Sequence, residues 1–269
     1  MVNDDEYVGS PERVALARRS ASLWHLLRDN PRFAYYGRPV ALSDPDEDTV
    51  EILYALAKLQ GAAVSYFYPA GLAESLFAKL EERGLATDRH EHFWGGEAAL
   101  AASRQAQKDI ALPADLTICA IDPRTPRQFV REVAELCHSC DVMPVPGSIM
   151  RGQVRDGICL VASDQGGRPV ATASSYMIHH ASSPRAMDAF WGMLATREDR
   201  RGERIALLLG AEAIVHMWEH HGARGFMTGV RANNLSSQAL CNKLGVTASE
   251  WIYASCIDRE MFGGSWITR

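Results

Sequence analysis

No stretch of this sequence approaches the ~20 consecutive apolar residues that cross a bilayer, so no membrane span is expected. The opening MVNDDEYVGS is acidic where a secretory leader would be basic and then apolar, and a cytoplasmic location is expected. Positive charge is also short. Lys and Arg number 28 against 33 Asp and Glu, a net charge of −5 that argues against a nucleic-acid partner. Six cysteines are scattered at 119, 137, 140, 159, 241 and 256, and Cys137–Cys140 is the one C-x-x-C. Without a second pair or a thioredoxin-like setting, free thiols are a plainer reading than zinc or redox chemistry. His216 and His220 stand four apart on one expected helix, but no third ligand accompanies them, so no metal is expected. What is present is ordinary: 47% hydrophobic and 23% charged over 269 residues, enough for a sizeable core and two domains.

The stretch from Met193 to Val246 organises the chain. An apolar run, Phe190 to Ala195, reads as a strand and ends in a polar turn carrying Arg197, Arg200, Arg201 and Gly202. A helix follows at once, with Ile205, Leu208, Leu209, Ala213 and Met217 spaced three and four apart, and Gly222 closes it. A strand (Gly225 to Val230) and a second helix (Leu235 to Leu244) come next, the latter ended by Gly245. A strand, a basic glycine-containing turn and a helix N-terminus can hold phosphate. The first amides of a helix have no internal partner, and the helix dipole favours an anion there.

Arg201-Gly202-Glu203-Arg204-Ile205-Ala206 resembles the Q/R-x-x-G-x-G/A turn of the GCN5-related N-acetyltransferases (GNAT). Asn234-x-x-Ser237-x-x-Leu240-Cys241-x-x-Leu244-Gly245-Val246 is similar to that family's N-x-x-A-x-x-L-Y-x-x-L-G-F signature. The resemblance implies an α/β fold with a mixed sheet, acetyl-CoA as cosubstrate, no metal, and an amine as acceptor. It also implies roles. The main chain of Met193, Leu194, Ala195 and Thr196 would pair with the pantetheine arm, and an amide there would polarise the thioester carbonyl. The turn Arg201, Gly202, Glu203, Arg204, Ile205 and Ala206 would cradle the pyrophosphate, with Asn234 and Ser237 facing the pantetheine. Two positions depart from the pattern. Arg204 stands where the turn has a glycine, so its amide is reached at negative φ or the loop differs. Cys241 stands where the family has the tyrosine that protonates the leaving thiolate; it is either that acid or a small buried residue. The general base is not marked. His179 and His180 end a strand and titrate near neutrality, and His179 is carried forward as the candidate. Glu198 and Asp199 read as solvated or capping. Trp191, Tyr176 and Tyr253 are either acceptor-pocket or core aromatics.

The first half carries a weaker copy. Gly61 to Leu85 aligns without gaps on Gly222 to Val246 at a constant offset of 161, with Gly61, Ala62, Ser75, Ala78 and Gly84 matched by identical residues. Its helix is preceded by Asp44, Asp46, Glu47 and Asp48, which would satisfy helix amides and repel a pyrophosphate. Residues 1–108 are therefore expected to be a partial, non-catalytic GNAT-like domain that covers the catalytic half or bounds the acceptor cleft. Residues 114–269 are expected to be the catalytic domain. Within them Leu116 to Ile121 reads as a strand, Arg127 to Cys137 as a helix, and Asp141 to Gly152 as a connection over the acceptor pocket. Gly157 to Ser163 and Val170 to Ile178 read as a hairpin around Asp164-Gln165-Gly166-Gly167. The expected function is transfer of an acetyl group to a small-molecule or peptide amine by direct attack on the thioester. The alternatives are a non-catalytic acyl-CoA-binding regulatory protein, for which Arg204, Cys241 and the degenerate first half speak, and an interaction module without a nucleotide. A homodimer is left open.

Overall fold

The structure, a computed structural model, describes residues 6–263; the acidic first five residues and the last six of the expected second domain lie outside it. In chain order the elements are α1 (Pro11–Leu27), β1 (Phe33–Ala34), β2 (Ala41–Leu42), α2 (Thr49–Gln60), β3 (Ala62–Pro69), α3 (Ala73–Glu81), β4 (Ala86–Gly95) and α4 (Glu97–Asp109). There follow β5 (Thr117–Ala120), α5 (Arg127–Ser139), α6 (Gly147–Met150), β6 (Gly157–Ser163), β7 (Pro169–Met177) and β8 (Asp188–Thr196). The chain closes with α7 (Ile205–His220), β9 (Gly225–Val230), α8 (Leu235–Lys243), β10 (Thr247–Ile257) and α9 (Arg259–Phe262).

Local signals explain most boundaries. Ser10 caps α1 through Arg13 N, with Pro11 at the first helical position. Gly167 at φ 76° makes the β6–β7 turn, and Gly222 at φ 72° follows α7. The acidic turn before α2 behaves differently from expectation. No side chain caps that helix. The Asp48 carboxylate pairs with Arg32 and Asp44 with Arg185, while Asp46 accepts from Glu47 N within the turn.

One sheet takes in the strands of both halves, in the order β1-β2-β3-β10-β4-β9-β8-β7-β6-β5. It is mixed: β2 with β3 and β8 with β9 run parallel, while β10 runs antiparallel to both β3 and β4. The central order β3-β10-β4-β9 reads the same when the two halves are exchanged. The repeat explains this, because β4 begins at Ala86 and β10 at Thr247, the same 161 residues apart. Each copy lends its last strand to the other across a pseudo-two-fold axis between β4 and β10, an intramolecular form of the isologous contact of a C2 dimer.

Hydrophobic cores lie on both faces. One packs α2, α3 and α5 side chains such as Leu53, Leu80 and Val133 against Tyr176, Phe190 and Met227. The other packs α7 against Phe93, Ala171, Trp191 and Phe226. The sequence pattern marks one apolar stripe on α7, yet Ile205, Leu207, Leu208, Leu209, Ala211, Ala213, Ile214, Val215 and Met217 are all buried. The reason is α4, which comes from the first half and packs along α7 in addition to the sheet. Gly210 lets the α7 main chain approach Trp191: a Cβ there would sit 2.9 Å from the indole, whose Nε1 donates to Gly210 O at 3.0 Å.

Candidate active site

At the head of α7, Arg200 N and Arg201 N donate to Arg197 O and Glu198 O in a short turn. Beyond them, the amides of Gly202 through Leu207 have no main-chain or side-chain acceptor among the described residues, and no side chain caps the helix. The unpaired run thus begins at Gly202, two residues later than the Arg200 start that the basic turn suggests. Arg204 takes φ 63° and ψ 16°, the left-handed conformation that glycine favours. A side chain thus stands at a position whose backbone takes the conformation that suits glycine, and not at the negative φ expected of an arginine. The cations differ in availability. Arg200 is held in bidentate fashion by Asp115 and by Glu203 at 2.7–3.1 Å. Arg201 donates only to Thr196 O, at 3.4 Å, and neither it nor Arg204 has a carboxylate partner among the described residues.

Beside this turn, β8 is irregular. Its pairing with β7 shifts between Ala195–Thr172 and Gly192–Ser174, which leaves one extra residue on β8, and Met193 there has φ 54°. On its other side β8 pairs with β9 only from Asp188–Gly225 to Phe190–Met227. A cleft opens where that pairing stops, and its lining draws on both cores: Phe190 and Met193 from one, Trp191, Val230 and Cys241 from the other. Among the described residues, three non-glycine residues have positive φ: Asp141, Met193 and Arg204. Two of them line this cleft and the third shapes the turn, the kind of clustering seen where strain serves a site.

The cleft brings together Met193, Leu194, Asn234, Ser237 and Cys241. Ala195 and Thr196 continue β8 toward the turn Arg201–Ala206, outside the cleft lining. Asn234 caps α8, its side chain accepting from Ser237 N at 3.1 Å. Burial pushes the Cys241 thiol up to about 12, which makes it a weaker acid than the thiol of CoA. His179 is not part of the cleft wall. It is buried, its Nδ1 lies 2.7 Å from Ser43 Oγ, and burial holds it down to about 3. His180 Nδ1 accepts from Ser182 N in a surface turn. Of the three aromatics, Trp191 and Tyr253 line the cleft, while Tyr176 is enclosed in the core.

The opposite wall comes from the first half. Tyr36, Arg38 and Tyr66 line it, with Asp88 and His90 of β4. Asp88 takes a bidentate pair from Arg231 at 2.9 and 2.7 Å and lies 3.8 Å from His90 Nδ1. Burial lowers His90 to about 4, so its ring is neutral at pH 7. The alternating polar run Asp88-Arg89-His90-Glu91-His92 looks like an exposed strand in the sequence. What could have marked it is the repeat, which carries β4 onto β10 if extended ten residues past Leu85.

The bulged strand β8, its splayed neighbour β9 and the unpaired amides before the buried helix α7 lie within one stretch of chain, from Asp188 to Val230. Residues 128–246 match the acetyltransferase (GNAT) family model. Solved structures agree in fold. A GCN5-related N-acetyltransferase from Kribbella flavida is 16% identical with a TM-score of 0.56, covering 91% of this chain and 95% of its own. A tandem GNAT protein from the clavulanic acid biosynthesis pathway is 13% identical, with a TM-score of 0.53 over 81% of this chain and 74% of that one. A GCN5-related N-acetyltransferase-like protein from Streptococcus suis is 19% identical, with a TM-score of 0.50 over 85% and 84%. No curated relative matches the chain in sequence. No helix among the described residues is long and apolar enough to cross a membrane, and no group of three or more potential metal ligands gathers among them.

Proposed function

We propose that the protein transfers an acetyl group from acetyl-CoA to a small amine held in the cleft between its halves. The observation that carries this reading is the run of amides from Gly202 to Leu207 at the start of a buried 16-residue helix, unpaired among the described residues, with Arg201 before it and Arg204 within it, neither countered there by a carboxylate. Main-chain donors and a helix dipole there suit a diphosphate. The β8 bulge at Met193 supports a place for the pantetheine arm and thioester, with an amide of that bulge turned to the carbonyl oxygen where charge develops. The amine nitrogen attacks that carbonyl, the C–S bond breaks, and the thiolate leaves. For the proton that the amine gives up, the cleft offers the neutral imidazole of His90, and we place the general base there rather than at the enclosed His179. Residues 1–108 then contribute no cosubstrate site of their own but supply one wall of the acceptor side.

Thiol release from acetyl-CoA in the presence of an amine panel tests the reading. Turnover that falls at least tenfold in His90→Gln, with the CoA-induced thermal shift retained, is the expected result. A second reading, acyl-CoA binding without turnover, is favoured by Cys241, which is too weak an acid to protonate the leaving thiolate. A CoA-induced shift with no thiol release on any amine would support it. No shift with CoA in large excess would set both aside.

A further inference from the structure

The cleft wall from the first half carries a cation, Arg38, with no carboxylate partner among the described residues. The Arg38 guanidinium lies 5.5 Å from the ring centroids of both Tyr36 and Phe190, which themselves stack at 4.2 Å. Its Nη2 donates to Met143 O at 2.5 Å and its Nη1 to the Tyr36 hydroxyl at 3.5 Å. These contacts fix the plane of the group and leave Nε–H over: that atom is buried and has no partner among the described residues. No carboxylate pairs with Arg38 there. Of the two acids that line the cleft, Asp88 is taken by Arg231, and Asp141 makes no ion pair with Arg38.

A second orphan stands in the same cleft. The Tyr253 hydroxyl is buried without a partner, on a residue that is 7% exposed. Tyr253 faces His90 directly across the β10–β4 ladder, and the charge of Arg38 is felt at both residues. Leaving a buried donor unsatisfied is costly, so two of them converging on one side of a ligand cleft point to something that completes them. A guanidinium N–H and a phenol O–H are two donors beside one positive charge, which matches the two oxygens of a carboxylate.

We infer that the acceptor amine carries a carboxylate, received by Arg38 Nε–H and the Tyr253 hydroxyl, so that its amino group lies beside His90. The acceptor is thus an amino acid or a comparably small amino carboxylate rather than a plain amine, with Tyr36, Tyr66 and Phe190 lining its apolar body. The inference rests on the acetyltransferase reading.

The experiment compares matched pairs that differ only in the carboxylate: leucine with 3-methylbutylamine, and phenylalanine with 2-phenylethylamine, alongside other amino acids and their decarboxylated forms. In the best pair, kcat/KM for the amino acid should exceed that for its amine by roughly 100-fold, because a site built to pair a charged group rejects the analogue lacking it. Arg38→Met should bring the ratio close to one, and Tyr253→Phe, which keeps the ring, should reduce it by about tenfold. Amines equal to or better than their amino acids would overturn the inference, as would a ratio that survives Arg38→Met in a variant that still shows the CoA-induced thermal shift. If CoA binds but no amine of either kind is acetylated, the enzymatic reading fails. The inference is then decided by binding: amino acids, and not their amines, should raise the melting temperature of the CoA-saturated protein. No shift with either, the outcome expected if only water completes the two donors, overturns it.

Discussion

Acid should weaken this protein well before its carboxylates titrate, because two histidines are enclosed as neutral rings. His92 and His179 sit in one aromatic cluster around Phe67, each with Nδ1 on a serine hydroxyl and Nε2 without a partner. Ser249 Oγ donates to His92 O, so His92 Nδ1 is the donor to Ser249 and its Nε2 carries the unpaired lone pair. Burial lowers both residues to about 3 from an ordinary value of 6.5. The unfolded chain therefore binds protons that the folded one refuses, and stability present above pH 6.5 is lost as pH falls toward 3. At pH 5 each ring is one and a half pH units below its unfolded value, about 2 kcal/mol apiece and about 4 kcal/mol together. That is a large part of a total that is roughly 5–15 kcal/mol in most domains. His90, lowered to about 4, acts in the same direction. Asp188, raised by burial, opposes it nearer the carboxylate range, so the clean window lies between pH 6.5 and 5. Urea denaturation followed by tryptophan fluorescence should show unfolding free energy falling by about 4 kcal/mol per pH unit across the lower part of that window, about 1.4 for each of the three rings. In His179→Gln the slope should flatten by about a third. Free energies equal within about 1 kcal/mol at pH 7.5 and 5.0 would refute the assignment of these rings as neutral and unsolvated.

Other perturbations test the turn and the sheet. Arg204→Gly should melt about 2–3 °C above Arg204→Ala, since both remove the charge and only glycine takes φ 63° freely; equal melting temperatures would remove the left-handed turn. Arg201→Glu should weaken CoA binding by roughly 100-fold, measured by calorimetry at low salt, because it turns an uncountered cation into a charge repelling phosphate. Cys241→Ala should leave kcat within about threefold, given a thiol too weak to serve as the acid; a loss of two orders of magnitude would return the acid role to it. A fragment of residues 114–269 lacks β3 and β4, leaving β9 and β10 with open edges, and should show no cooperative unfolding transition.

Much of the fold is legible in residues read one segment at a time. The β6–β7 hairpin, α5, α7, β9 and α8 all lie within about two residues of where apolar spacing and glycine positions place them. Pairing across the sheet is not legible in this way. Nothing local in Thr247–Ile257 says that it slots between β3 and β4, because its partners lie more than 150 residues earlier in the chain. The site divides along the same line. Gly202 and the arginines around it announce an anion turn, since main-chain geometry there follows from local residue types. The bulge at Met193 has no such signal, as a methionine at positive φ is imposed by the strands on either side. Arg38, His90 and Tyr253 meet only once the halves interleave, and spacing within either half points to none of them.

The order in which the ribosome delivers these strands has a cost for the cell. β3 and β4 emerge early but cannot pair with one another, because the place between them belongs to a segment synthesised some 150 residues later. Until Ile257 has left the exit tunnel, two strand edges stay open on a growing polypeptide, the condition under which nascent chains recruit chaperones or stick to their neighbours. Slow or interrupted translation before the codons of β10 have been read should therefore harm this protein more than one whose first half closes on itself.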